Sequence, residues 1–132
     1  MTEIKASNLG GRAASGWVRW LAPITLMAVI FLLSAQPYDG GELAWWEVAG
    51  RKLGHFLGYA LLALAWAWAL AARSRHRLLI AAGLSLGYAV SDEYHQTFVS
   101  GRTGTPQDVA IDALGIAAAL LLVSRRPRAA RA

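Results

Sequence analysis

Residues able to do chemistry concentrate in three short stretches of this chain. The first is Ser91-Asp92-Glu93-Tyr94-His95-Gln96-Thr97-Phe98, where two carboxylates, an imidazole and an amide follow an uncharged, Gly-containing run from Leu78 to Val90. The second is Lys52, His55 and Tyr59, whose i, i+3, i+7 spacing puts all three on one helix face. The third is Asp108 and Asp112, four apart and so also on one face, with Gly115 below them on the same stripe. Arg102 lies between the first and third stretches. Polar groups at the end of an apolar helix are costly unless paired, hydrated or used. This many carboxylates cannot all stay charged together without basic partners or a metal ion.

Each stretch borders an apolar segment, and those segments decide where the groups meet. Trp17 to Ala35, Leu53 to Ala72, Leu78 to Phe98 and Asp108 to Val123 are four candidate spans, against about 20 residues needed to cross the hydrocarbon of a bilayer. Arg12 and Arg19 before a run ending Leu33-Ser34-Ala35 also fit a secretory signal, but Leu33 is too large for the minus-three position of a cleavage site. A retained helix is expected. Trp17 and Trp20 suit the lipid–water boundary. The loop from Gln36 to Arg51 opens on Pro37 and Gly40-Gly41, and a short interfacial helix is expected within it over Glu42 to Ala49, which holds Trp45-Trp46. Gly83 and Gly87 form a small-xxx-small pair expected to let a neighbouring helix approach closely.

Charge orders these spans. With the amino terminus, the turn Arg73 to Arg77 and the carboxyl tail on one side, that side holds all but three of the 13 Lys and Arg residues. The exceptions are Arg51, Lys52 and Arg102. By the positive-inside rule both termini are cytoplasmic. The expected fold is all-α: a polytopic membrane protein, a compact bundle of four transmembrane helices over residues 17–124. A flexible cytoplasmic segment, 1–16, precedes it, and a basic cytoplasmic tail, 125–132, follows. The hydrophobic content of 56% agrees, and the net charge of +5 flanks the spans instead of forming a basic domain, so nucleic acid is not an expected partner. The absence of cysteine excludes disulfides and thiolate sites.

The three polar stretches then converge on the outer end of the bundle, where Lys52, His55, Tyr59, Asp92, Glu93, Gln96, Arg102, Asp108 and Asp112 are the candidate ligand-binding residues. Taken singly, Lys52, Asp92 and Asp108 read more simply as snorkelled or capping residues. Asp112 lies a full turn inside its span, where an ionisable group is a functional candidate by default. Its structural alternative is a pairing with Lys52 or Arg102 that only holds helices together.

These residues carry a resemblance. From Lys52 to Gly115 the chain resembles the VanZ-like membrane proteins, named for a glycopeptide (teicoplanin) resistance protein. The motif Lys-x-x-His-Phe-x-x-Tyr stands here as Lys52, His55, Phe56 and Tyr59. Glu-x-x-Gln-x-Phe-x-x-x-Arg stands as Glu93, Gln96, Phe98 and Arg102, and Asp-x-x-x-Asn-x-x-Gly as Asp108, Asp112 and Gly115. The chain departs by carrying Asp112 for the family's Asn, and Ala119 where a Gly is usual. The resemblance implies a small protein of the bacterial cytoplasmic membrane linked to the cell envelope and antibiotic resistance.

Two functions are weighed first. One is binding, with modification or shielding, of an anionic envelope lipid, a lipid-linked precursor or a glycopeptide at the outer leaflet. Lys52 and Arg102 would meet phosphate or carboxylate, and an apolar groove between spans two and three would hold the tail. The other is a membrane enzyme with His55 or Glu93 as general base, or with Mg²⁺ or Mn²⁺ on the clustered carboxylates, although no metal signature fixes a cofactor. A small oligomeric transporter and an assembly factor are further alternatives. Four spans in one copy are few for alternating access, so a carrier would act as a homo-oligomer, and its site belongs at mid-membrane.

Overall fold

A computed structural model describes residues 7–71 and 76–125, with side chains described from residue 16 onward. The described residues form four helices and no strand: α1 (Ser7–Ser34), α2 (Trp45–Ala69), α3 (Arg77–Gln96) and α4 (Pro106–Ser124). Arg73 and Arg75 of the expected inner turn, together with Lys5, Arg126, Arg128 and Arg131, lie outside the described residues. Two helices, over Gly16–Ser34 and Pro106–Ser124, are long and apolar enough to cross a membrane. Neither is the buried core helix of a soluble domain. Leu32, Leu33, Leu114 and Leu122 on them are all more than half exposed, a pattern that suits lipid.

Local chemistry sets the helix boundaries. The helix α1 begins at Ser7, ahead of the apolar stretch, and carries a buried Pro23 in its interior, where one backbone hydrogen bond is necessarily missing. The helix α2 starts at Trp45, because the Glu47 carboxylate accepts a hydrogen bond from the Ala44 amide at 2.8 Å and so caps its first turn. There is accordingly no separate interfacial helix over residues 42–49. Trp45, Trp46 and the charged residues Glu47, Arg51 and Lys52 form the opening turns of α2 itself. The helix α4 opens with Thr105 as N-cap and Pro106 in its first turn, the hydroxyl of Thr105 accepting the Asp108 amide hydrogen at 3.2 Å.

In a bilayer apolar burial drives helix association little, so close packing of small residues matters more. The most extensive contact is between α2 and α4. It is tight enough that a Cβ at Gly115 would run into the Phe56 carbonyl. The core is made by Tyr59, Leu62, Ala63, Ala67, Ala81, Ala89, Ile116 and Leu120. On α3 the buried stripe is Ala81, Ser85 and Ala89, continuing into Asp92, Glu93 and Gln96. Gly83 and Gly87 lie off this stripe, exposed, and a Cβ at either would meet nothing within 4 Å. The small-xxx-small reading holds for α3, but at Ala81/Ser85/Ala89. One end of the bundle is closed by Trp20 edge-on to Trp66 at 5.7 Å, Arg19 over Trp68 at 5.3 Å, and Arg77 donating to the Ala67 carbonyl. The other end carries the polar residues.

Gly115→Ala is expected to lower stability by about 1–3 kcal/mol, as an overpacked interface does. Gly87→Ala should stay within about 0.5 kcal/mol of wild type. Thermal unfolding of the detergent-purified variants measures both.

Candidate functional site

Three helices deliver charged groups to this end, and the pairing among them is specific. Lys52, on the second turn of α2, reaches Asp108 on the first turn of α4 with Nζ to Oδ1 at 2.6 Å. Thr105 donates its hydroxyl to the other Asp108 oxygen at 2.7 Å. One turn deeper, His55 Nδ1 stands 3.2 Å from Asp112 Oδ1 and 3.6 Å from Glu93 Oε1. His55 Nδ1 and both Asp112 oxygens are buried, and the contact between them is a close ion-pair approach without a well-formed hydrogen bond. Asp112 is completely shielded from solvent, and Glu93 almost so. The alternative in which Asp112 pairs with Lys52 or Arg102 gives way to a pairing with His55. The reason is depth: Lys52 is held at the rim by Asp108, while His55, three residues further along the same face, arrives level with Asp112.

The remaining carboxylate contacts fix α3. Gln96 Nε2 lies 3.3 Å from both Asp92 Oδ2 and Glu93 Oε1, donating to each. Glu93 Oε2 accepts the Thr105 amide hydrogen at 3.1 Å, which ties the end of α3 to the start of α4. Asp92 Oδ2 also accepts from the buried Ser34 hydroxyl of α1 at 2.8 Å. Tyr59 is buried below, its ring 6.2 Å from that of His55. His95 does not join: it turns toward α1 and packs on Phe31 with ring centres 4.7 Å apart.

Arg102 closes the loop side. Its Nε donates to the Gln36 carbonyl at 3.0 Å and a terminal nitrogen to the Leu33 carbonyl at 3.1 Å, satisfying oxygens at the end of α1. Burial, and then the neighbouring Arg51 cation, pull the Arg102 guanidinium below its usual range, though it stays charged near neutral pH. Arg51 itself lies over the Tyr38 ring at 4.7 Å. The two loops are latched by the Tyr38 amide donating to the Ser100 carbonyl at 3.0 Å. This is possible because Gly101 adopts φ 74° and leaves no Cβ against Tyr38.

Two cavities open among these groups. A polar one of about 260 Å³ is lined by Arg51, Lys52, His55, Glu93, Arg102 and Asp108, with loop residues at its rim. An apolar groove of about 190 Å³ runs between α1 and α2, walled by Ile30, Leu33, Gly54, Gly58 and Tyr59. Arg51, His55 and Arg102 line both, so the two adjoin. The groove lies between α1 and α2, not between the second and third spans as expected from the sequence. The glycines explain it: a Cβ at Gly54 would meet nothing within 4 Å, and one at Gly58 only the Ile30 side chain at 3.8 Å. Ser34, Arg51 and Thr105 also belong to the site, although sequence reasoning does not single them out. Thr105 before Pro106 does carry a readable N-cap signal; Ser34 carries none, since its partner is 58 positions away.

The VanZ/LLP1 family model matches residues 19–126, which takes in α1 from Arg19 onward as well as the motif-bearing helices. The chain belongs to the VanZ/LLP1 family. Family membership and the two long apolar helices together point to a membrane protein. No curated protein and no solved structure shows a significant match.

Arg102→Ala is expected to lower the unfolding temperature, by loss of two charge-assisted hydrogen bonds to α1. The Lys52–Asp108 pair, 42% and 24% exposed, should show a coupling of only about 0.2–1 kcal/mol in a double-mutant cycle on stability.

Proposed function

We propose that this VanZ/LLP1 member crosses the bacterial cytoplasmic membrane four times with both termini inside, and binds an anionic amphiphile of the cell envelope at the outer leaflet. The observation that carries the reading is the adjoining of the polar cavity to the apolar groove through Arg51, His55 and Arg102. An amphiphile has the matching two parts. Its phosphate or carboxylate head would lie against Arg51, Lys52 and Arg102, and its chain would follow Ile30, Leu33 and the two glycines. The orientation rests on the basic residues flanking the other end, Arg19, Arg77 and Arg125 among the described ones.

Size narrows the ligand. Pockets that enclose drug-sized molecules run about 300–1,000 Å³. A polar cavity of about 260 Å³ suits a head group better than a whole glycopeptide. A lipid-linked envelope precursor is therefore the favoured ligand, and the link to glycopeptide resistance, which family membership supports, would run through that target instead of through the drug. Asp108 orients Lys52, Asp92 ties α3 to α1, Gln96 bridges Asp92 and Glu93, and Glu93 and His55 form the inner wall.

A second reading is favoured by one observation, the convergence of His55 and Glu93 beside that cavity at 3.6 Å. A base placed there could activate water against a bound head group. Turnover lost in Glu93→Gln with affinity kept would favour this enzyme reading. A carrier is disfavoured because the polar groups sit at one end of the bundle, whereas carriers bind near the midplane.

The test is binding of a polyprenyl phosphate to the detergent-purified chain, beside the matching polyprenyl alcohol and a teicoplanin-type glycopeptide. Saturable binding of the phosphate is expected, with the alcohol and Arg51→Ala each weaker by about tenfold or more. Equal affinity for phosphate and alcohol, or none for either, would contradict the reading.

A further inference from the structure

The deepest part of the site is more than a wall for a ligand. His55, Glu93 and Asp112 each offer one donor atom, all lying within 4.8 Å of one another. Asp112 is completely buried, and neither of its oxygens has a hydrogen-bond partner. Lys52, Arg102, Gln96 and the Thr105 amide are already engaged, whereas the Tyr59 hydroxyl, buried below without a hydrogen bond, is neutral and offsets no charge. Lys52 is on Asp108, Arg102 is on the carbonyls of α1, Gln96 bridges Asp92 and Glu93, and the Thr105 amide is on the far oxygen of Glu93. Two carboxylates and one imidazole therefore face each other across a buried gap. With both carboxylates ionised, a protonated His55 would still leave a net negative charge there, and uncompensated charge in such surroundings is costly.

We propose that His55, Glu93 and Asp112 bind a divalent first-row transition cation, of the Mn²⁺ or Zn²⁺ kind. Charge balances: two carboxylates and a neutral imidazole around a doubly charged ion sum to zero. The donor set fits, since an imidazole with two carboxylates joins ligands favoured by Zn²⁺ to ligands favoured by Mn²⁺. The spacing fits too. Donors held about 2.1 Å from one ion at tetrahedral or octahedral angles sit about 3–3.5 Å apart, close to the 3.2 Å and 3.6 Å from His55 Nδ1 to Asp112 and Glu93. With Nδ1 on the ion, the imidazole proton resides on Nε2. Thr105 and Gln96 hold Glu93 as outer partners that fix its orientation.

Three protein donors leave at least one coordination position free, as in metal centres that take a substrate. His55 and Glu93 both line the polar cavity, so that position faces it. Use of the position to grip a phosphate or carboxylate oxygen rests on the binding function proposed above. Ion binding does not, and it is measured with no lipid present, so the two can fail separately.

The experiment takes the full chain, purified in detergent and stripped with chelator, and titrates it with Mn²⁺ and with Zn²⁺. Bound metal is counted by elemental analysis, Mn²⁺ is followed by the electron paramagnetic resonance of the free ion, and thermal unfolding is recorded. One ion per chain and a raised unfolding temperature are expected. Asp112→Asn removes the charge with little change in shape, so it should fold; it is expected to weaken binding by at least the roughly 10–100-fold that loss of an outer-shell partner costs. Glu93→Gln and His55→Ala should do the same, whereas Asp39→Asn, in an exposed loop, should bind as wild type. Circular dichroism identifies any variant that has not folded, and the others then decide. Absence of saturable binding of either ion to the folded wild type would overturn the proposal. So would binding that the folded substitutions at Asp112, Glu93 and His55 leave unchanged.

Discussion

The contact on which the rest of the structure depends is that between His55 and Asp112, 3.2 Å apart with the carboxylate wholly buried. A carboxylate in that position, with apolar neighbours below it, is tolerable only where a compensating group comes to it. Two features bring His55 there. Gly115, one turn beyond Asp112, lets the α4 backbone press against Phe56, the residue after the histidine. Above them, Lys52 and Asp108 join at 2.6 Å and set the two helices in register. The α2–α4 pair is thus a ladder of two charged rungs and one glycine step. Its outer rung is partly solvated, and its inner rung is not.

The other two helices are arranged around this pair. The end of α3 supplies Glu93 to the inner rung, and Asp92 and Gln96 to a neighbouring network. The helix α1 carries no ionised group into the centre, yet it completes it, with Ser34 on Asp92 and with carbonyls that anchor Arg102. One consequence is the groove. Because α1 is attached by its end through polar contacts and faces Gly54 and Gly58 lower down, an apolar channel stays open beside a polar cavity. The arrangement that gathers the buried charges is also the one that leaves an apolar groove open beside the polar cavity.

Much of this arrangement is legible in the amino-acid sequence. The spacing of Lys52, His55 and Tyr59, and of Asp108 and Asp112, places each set on one face, and the basic residues set the polar stretches at one end. Partner choice is not legible, because helical period gives a face but not a relative depth between two helices. Lys52 could therefore be placed against Asp112 as readily as against Asp108, and it meets Asp108. Gly83 and Gly87 mislead for a related reason. They satisfy the spacing of a packing face, but so do Ala81, Ser85 and Ala89, and only tertiary contacts show which side is buried. A helix near Trp45 is legible, but its unbroken run into the second span is hidden because Gly50, Arg51 and Lys52 have the composition of a loop. The contribution of Ser34 depends on a contact spanning 58 positions, for which no local pattern exists.

Everything proposed for the ligand requires that the charged end of the bundle open to the outside of the cell. Cysteine labelling addresses this orientation without ambiguity from native thiols, since the chain has no cysteine of its own. Thr103→Cys lies at the rim of the polar cavity and Arg125→Cys just past the end of α4. In intact cells a membrane-impermeant maleimide is predicted to label the first and spare the second until the membrane is permeabilised. Labelling of Arg125→Cys but not Thr103→Cys in intact cells would turn the site toward the cytoplasm and rule out an outer-leaflet ligand.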